Sequence, residues 1–278
     1  MLIDDLDFLK SLSESEQREF FEQLSPEDLE IVLEQMTARQ LPSSSKPRDT
    51  SRYVKEHRER AREIGEIPPV ADPILRAECD AHLAVFLQRC FPDIFTLPFS
   101  NDHLKLITSI ERVITNGGNE AFACERGFGK TQLSVGAINW GALTGRSKYS
   151  LIIGANAEMA TAQRDGIKRR LETSEHLLAL YPEICYPMRV LAGSLKMSAT
   201  YRGKLLRIKS RPDLVLPCVE GAPGSEAVIS CTGIDSGSIR GRYYDRADGT
   251  TVRPDTVMLD DPQDDTTAKQ AKEVENRS

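Results

Sequence analysis

The sequence predicts an α/β protein: a parallel sheet with an antiparallel β elaboration, preceded by a small helical N-terminal module. Three observations predict it. Apolar runs of buried-strand length, such as Tyr149-Ser-Leu-Ile-Ile-Gly154, alternate with helix-length amphipathic segments, the pattern of strand, crossover and strand. A glycine-rich turn, Cys124-Glu125-Arg126-Gly127-Phe128-Gly129-Lys130-Thr131, joins a short apolar run to an apolar-periodic one. Near the C-terminus a further apolar run, Thr256-Val-Met-Leu259, ends in the adjacent carboxylates Asp260 and Asp261.

The 278 residues allow one large α/β domain and an appendage. No apolar run approaches the roughly 20 residues that span a bilayer, and the acidic N-terminus has no signal-peptide pattern, so neither a membrane nor secretion is expected. Cys79, Cys90, Cys124, Cys185, Cys218 and Cys231 are scattered without a C-x-x-C pair, which reads as reduced thiols in a cytosolic protein rather than a zinc site. The net charge of −6 is concentrated in the acidic first 40 residues and leaves the remainder slightly positive, so overall charge names no nucleic-acid partner.

Residues 1–40 read as an acidic helical module. Ser13-Glu-Ser-Glu16 and Ser25-Pro-Glu-Asp28 each place a capping serine three residues before a carboxylate. Residues 41–72 read as a linker, through Leu41-Pro-Ser-Ser-Ser-Lys-Pro47, followed by a charged helix from Arg52 to Glu66. The remaining stretch, 73–278, reads as the α/β domain. It begins with a helix over about 73–90, and Ser100 or Asn101 then caps a helix through Leu104, Ile107, Ile110 and Val113 that Asn116-Gly-Gly ends.

Ala121-Phe122-Ala123 is expected as the strand before the glycine turn, and Leu133, Val135, Ile138 and Trp140 as the helix after it. Strand, glycine loop and helix with Gly-Lys-Thr at the helix entrance is the arrangement of a phosphate-binding loop (P-loop), in which backbone N–H groups and the helix dipole face the anion, or of a plain strand-to-helix turn. Lys130 would reach the β- and γ-phosphates and the Thr131 hydroxyl would ligate Mg²⁺, with Gln132 in the first turn. Cys124 stands where the pattern has its first glycine. Phe99 and His103, upstream of the loop, are candidates to lie near the base of a nucleotide.

After the strand Tyr149–Gly154, Asn156 begins a helix carrying Arg164, Lys168, Arg169 and Arg170. Leu205–Lys209, Leu214–Pro217 and Ala227–Cys231 read as short strands of an antiparallel elaboration, with Pro223-Gly-Ser225 as a turn. Arg240, between flexible turns, suits either a phosphate contact or pairing with Asp245 or Asp248. Asp260 would then orient Mg²⁺, and Asp261 would position the attacking water or take its proton.

Together, Arg126-Gly-Phe-Gly-Lys-Thr131, Leu151-Ile-Ile-Gly-Ala155, Ser238-Ile-Arg-Gly241 and Arg253-Pro-Asp-Thr-Val-Met-Leu-Asp-Asp-Pro-Gln263 resemble the P-loop ATPase domain of tailed-phage large terminases, over roughly residues 99–275. The resemblance implies ATP and Mg²⁺ as cofactors and ATP-driven packaging of double-stranded DNA into a procapsid. It also implies a ring on the portal protein, a terminase small subunit as partner, and location in the host cytoplasm and transiently at the procapsid portal. Arg126 matches the loop arginine proposed to act on the γ-phosphate, and Asp261 falls where the family usually has glutamate. The coupling motif and nuclease domain of the family are not found before Ser278, so the chain is expected to be the ATPase portion of a longer or split protein. The rivals are another P-loop motor such as a helicase, and an ATP-binding module that does not hydrolyse. The basic helix after Gly154 and the arginines near 240 are the expected DNA-facing charges.

Overall fold

The computed structural model describes residues 62–125, 127–192, 199–234, 236, 239 and 241–260. The chain divides into two compact units, Met1–Lys55 and Glu56–Ser278. The first unit, with the acidic module, lies outside the described residues, as do residues 56–61, Arg126, Ser238, Arg240 and Asp261.

Strand β1 (Arg62–Glu63) replaces the end of the expected charged helix and pairs in parallel with the strand Ala199–Tyr201. Ile64 is buried in the core, and Gly65 has a φ of +80° that no helix continues through. The Glu63 carboxylate accepts the Thr200 hydroxyl at 2.8 Å and the Arg202 N–H at 2.8 Å. Those cross-chain bonds decide the conformation against the local helix preference.

Asp72 caps α1 (Pro73–Ala81), accepting from the Leu75 N–H at 2.9 Å, with Pro73 at the first position. The single helix expected over 73–90 breaks at His82, whose extended backbone (φ −133°, ψ 115°) starts α2 (Leu83–Cys90) in a new direction. The break buries Leu83, Phe86, Leu87 and Cys90 together, and Glu111 accepts the freed Leu83 N–H at 2.6 Å. Helix α3 (Asn101–Asn116) follows the sequence expectation: Ser100 caps it and Gly117, at φ +77°, ends it.

The central sheet has four strands in the order β5-β6-β2-β9: β2 (Tyr149–Gly154), β5 (Leu214–Val215), β6 (Val228–Gly233) and β9 (Thr256–Asp260). Strands β6, β2 and β9 run parallel and β5 is antiparallel to β6. Residues 228–231, read from sequence as part of the antiparallel elaboration, therefore sit inside the parallel sheet. Val228, Ile229 and Ser230 are buried, the requirement for a strand covered on both faces. The antiparallel pairs are β5 with β6, β3 (Ala199–Tyr201) with β4 (Lys204–Leu205), and β7 (Tyr244–Asp245) with β8 (Thr251–Val252).

Ala121, Phe122 and Ala123 form no strand. All three are exposed, so water satisfies backbone groups that a ladder would otherwise take up. A groove of about 210 Å³, lined by Asn119, Phe122, Val257 and Leu259 among others, separates this stretch from β9. Helices α4 (Lys130–Leu143) and α5 (Ala157–Thr173) flank β2 in sequence, and α6 (Glu175–Leu180) and α7 (Pro182–Val190) follow. One large core joins the seven described helices to Ile152 and Ile229 of the sheet, with Met258 packed against it. At its centre the buried Trp140 donates its indole N–H to the Cys79 carbonyl at 2.8 Å. Among the described residues no helix is long and apolar enough to cross a membrane.

Candidate functional site

The glycine loop ends where α4 begins. Gly127 and Gly129 hold φ of +88° and +85°, and an added Cβ at either would meet no atom within 4 Å. Glycine is needed there for backbone freedom rather than for space. Gly129 is the N-cap of α4 and offers no side-chain acceptor, so the first-turn N–H groups of this helix have no side-chain cap. Uncapped N–H groups, at the positive end of the helix dipole, are what an anion binds.

Lys130 lies at the same turn, its ammonium donating to the Cys124 carbonyl at 2.6 Å and to the Glu125 carbonyl at 3.1 Å. These carbonyls hold the lysine across the loop, and an incoming phosphate would compete for the same ammonium. Phe128 completes the turn with its N–H on the Glu125 carbonyl at 3.3 Å. The Phe128 carbonyl accepts from His103 Nε2 at 3.2 Å, and the two rings stack with centroids 4.2 Å apart. The Ser100 hydroxyl faces His103 Nδ1 at 2.7 Å, so the cap of α3 is tied through the imidazole to the loop. Beside them a cleft of about 360 Å³ is lined by Phe95, Leu97, Phe99, His103 and Phe128, which puts the two upstream aromatic candidates next to the loop.

Thr131 and Asp260, 129 residues apart, meet. The Thr131 hydroxyl donates to the Asp260 carboxylate, at 2.9 Å to one oxygen and 3.2 Å to the other. The sheet explains the meeting. Register pairs Gly154 with Asp260 at the carboxyl end of β2 and β9, where the start of α4 also lies. Among the described residues no three His, Cys, Asp or Glu side chains converge on a metal position. One carboxylate and one hydroxyl, both hard oxygen donors, nevertheless suit Mg²⁺, which keeps water and phosphate oxygens in the rest of its octahedron.

Two residues that sequence reasoning did not single out for the site complete it. Gln163 of α5 donates Nε2–H to Asp260 at 2.6 Å. Arg170, two turns on along the same face, donates to Gln132 Oε1 at 2.7 Å and stacks its guanidinium over Phe91. Burial pulls the Arg170 guanidinium below its ordinary pKa. No motif marks either residue, and only their i, i+7 spacing on one helix face relates them.

The basic helix expected to face DNA is largely turned inward. Arg164 is buried, holding the Pro212 carbonyl and Asp165. Lys168 pairs with Glu172, and Arg170 is engaged as above. Arg169 is the exposed member of the four. Structural fastening thus accounts for most of a charge cluster that looks, in sequence, like a phosphate-binding face. Of the predicted site, Cys124, Glu125, Gly127, Phe128, Gly129, Lys130, Thr131, Gln132 and Asp260 lie at or beside the start of α4; Arg126 and Asp261 lie outside the described residues. No family model, curated protein or solved structure matches the chain.

Proposed function

We propose that the start of α4 binds Mg·ATP and that the chain is the ATPase portion of a DNA-packaging motor of the tailed-phage large-terminase type, built on a P-loop core. The observation that carries the reading is the Thr131–Asp260 contact, a helix-start hydroxyl against a strand-end carboxylate. In this reading the N–H groups of Gly129, Lys130 and Thr131 cradle the phosphates, and Lys130 leaves the carbonyls of Cys124 and Glu125 for phosphate oxygens. Thr131 and Asp260 hold the cation, whose contribution is to neutralise charge on the β- and γ-phosphate oxygens. Asp261 orients water, and Arg126 meets charge at the γ-phosphate, worth about 10³–10⁵ in rate for an arginine so placed. Both roles rest on sequence. Double-stranded DNA, a portal and a small subunit would be the partners, met in a ring in the host cytoplasm and at the procapsid portal.

A second reading has its own support. With Ala121–Ala123 unpaired and Lys130 folded onto loop carbonyls, the chain is also suited to bind ATP without turnover.

The test measures ATP affinity by displacement of a fluorescent analogue, and turnover by phosphate release. Lys130→Ala should weaken binding at least tenfold, about 1.4 kcal/mol. Asp261→Asn should bind normally and lose turnover. Undiminished ATPase activity in Lys130→Ala overturns the assignment, whereas tight binding with no turnover by the parent chain selects the binding module. ATP-dependent unwinding of duplex DNA would move the protein to the helicases.

A further inference from the structure

Gln163 takes no part in the phosphate and cation contacts proposed for Lys130, Thr131 and Asp260. Among the described residues the Asp260 carboxylate accepts two hydrogen bonds, from the Thr131 hydroxyl and from Gln163 Nε2 at 2.6 Å. The amide must therefore present its nitrogen to the carboxylate, which fixes Oε1 on the other side. Oε1 is buried and has no hydrogen-bond partner among the described residues. A buried acceptor left unmet is costly, so the amide is held with its nitrogen on Asp260 at the expense of its oxygen.

We propose that Gln163 is a positioning residue for the cation held at Thr131 and Asp260: Nε2 fixes the rotation of the Asp260 carboxylate. The inference rests on the Mg·ATP reading of the site and goes beyond it, because it assigns part of the metal affinity to the crossover helix.

The location supports this. Gln163 projects from the second turn of α5, whose start is fixed tightly against the sheet. A Cβ added at Gly154 would lie 3.1 Å from the Ala160 N, and one at Gly233 would lie 2.7 Å from the Ala157 N. Farther along, Arg164 is buried and anchored to the Pro212 carbonyl and Asp165. Gln163 thus stands on a rigid support rather than on a loop, as a group that orients a metal carboxylate must. A free amide on a flexible helix would spend the same hydrogen bond on water.

The experiment separates nucleotide binding from cation binding. The affinity of the 278-residue chain for a fluorescent ATP analogue is measured in EDTA and then along a Mg²⁺ titration. Gln163→Leu, which removes both amide groups, should leave the metal-free affinity within about twofold. It should raise the Mg²⁺ concentration for half-maximal effect about tenfold or more, the scale of outer-shell substitutions. Gln163→Met preserves side-chain length without either hydrogen-bonding group and should behave the same; it stands in if the leucine variant misfolds. Thr161→Val, on the same helix, is the control for packing and should leave the Mg²⁺ midpoint unchanged. An unchanged midpoint in both Gln163 variants overturns the proposal while leaving the nucleotide reading intact. A parent chain that binds no nucleotide in either condition overturns both.

Discussion

Asp255 accepts the Ser147 hydroxyl at 2.6 Å, the Lys148 N–H at 2.7 Å and the Tyr149 N–H at 3.3 Å. Ser147 is itself buried and hydrogen-bonded to the buried Ser150 hydroxyl at 2.8 Å. The aspartate of Arg253-Pro-Asp255 thereby clasps the start of β2 to the start of β9 and sets the register that brings Asp260 level with Gly154. Asp255→Ala should cost about 1–2 kcal/mol, discounted because the carboxylate itself is exposed to water. Urea unfolding measures it, and a loss below about 0.5 kcal/mol would deny the clasp. At this scale the sequence discloses residues whose chemistry is carried by local spacing. Lys130 and Thr131 are legible because a glycine turn before a helix has one strong chemical use, and Asp260 because an acid ends an apolar run. Gln163 and Asp255 are not legible in the same way. Their partners lie 97 and 106–108 residues away, and nothing local distinguishes a glutamine that meets a carboxylate from one that meets solvent.

The carboxyl ends of β2 and β6 abut the first turn of α5, and glycine is what permits the approach. A Cβ at Gly233 would lie 2.7 Å from the Ala157 N and 3.0 Å from the Asn156 C, both backbone atoms with little room to yield. Gly233→Ala should therefore destabilise by about 1–3 kcal/mol and displace the N-terminal turn of α5. Thermal unfolding gives the first effect, and loss of protection from hydrogen exchange at residues 157–163 gives the second. A variant as stable and as protected as the parent would show that the junction is not tight. Elements whose own ends are signalled could be read ahead of the structure: α3 has Ser100 and Gly117, α5 has Asn156, and β2 is apolar between turns. Those that failed were decided by distant partners. Residues 62–63 became a strand because Glu63 found Thr200, and β6 joined the parallel sheet because β2 lies beside it. The expected helix over 73–90 broke where Glu111 could accept the N–H that the break exposed. Ala121–Ala123 has strand composition, yet among the described residues no strand pairs with it.

Across the second compact unit, three distant parts of the chain supply the candidate site: α4 gives the loop and Thr131, β9 gives Asp260, and α5 gives Gln163. A ligand bound at their junction ties them together in the folded chain and finds no such junction in the unfolded one. Mass action then makes binding a stability measurement: a ligand at 100 times its Kd adds about 2.7 kcal/mol. For a folded unit of this size that corresponds to a rise in Tm of about 5–10 °C. Mg·ATP should produce this rise in the parent chain, and ATP with EDTA a smaller one, since in the proposed site Thr131 and Asp260 would hold the cation. Lys130→Ala should lose both increments, because the proposed role of the ammonium is to contact phosphate with or without the cation. Asp260→Asn should keep the metal-free increment and lose the additional one, because Asp260 is proposed to hold the cation and not the phosphates. Equal rises with and without Mg²⁺ would show that nucleotide binds away from the Thr131–Asp260 contact. A full Mg²⁺-dependent increment in Asp260→Asn would place the cation elsewhere.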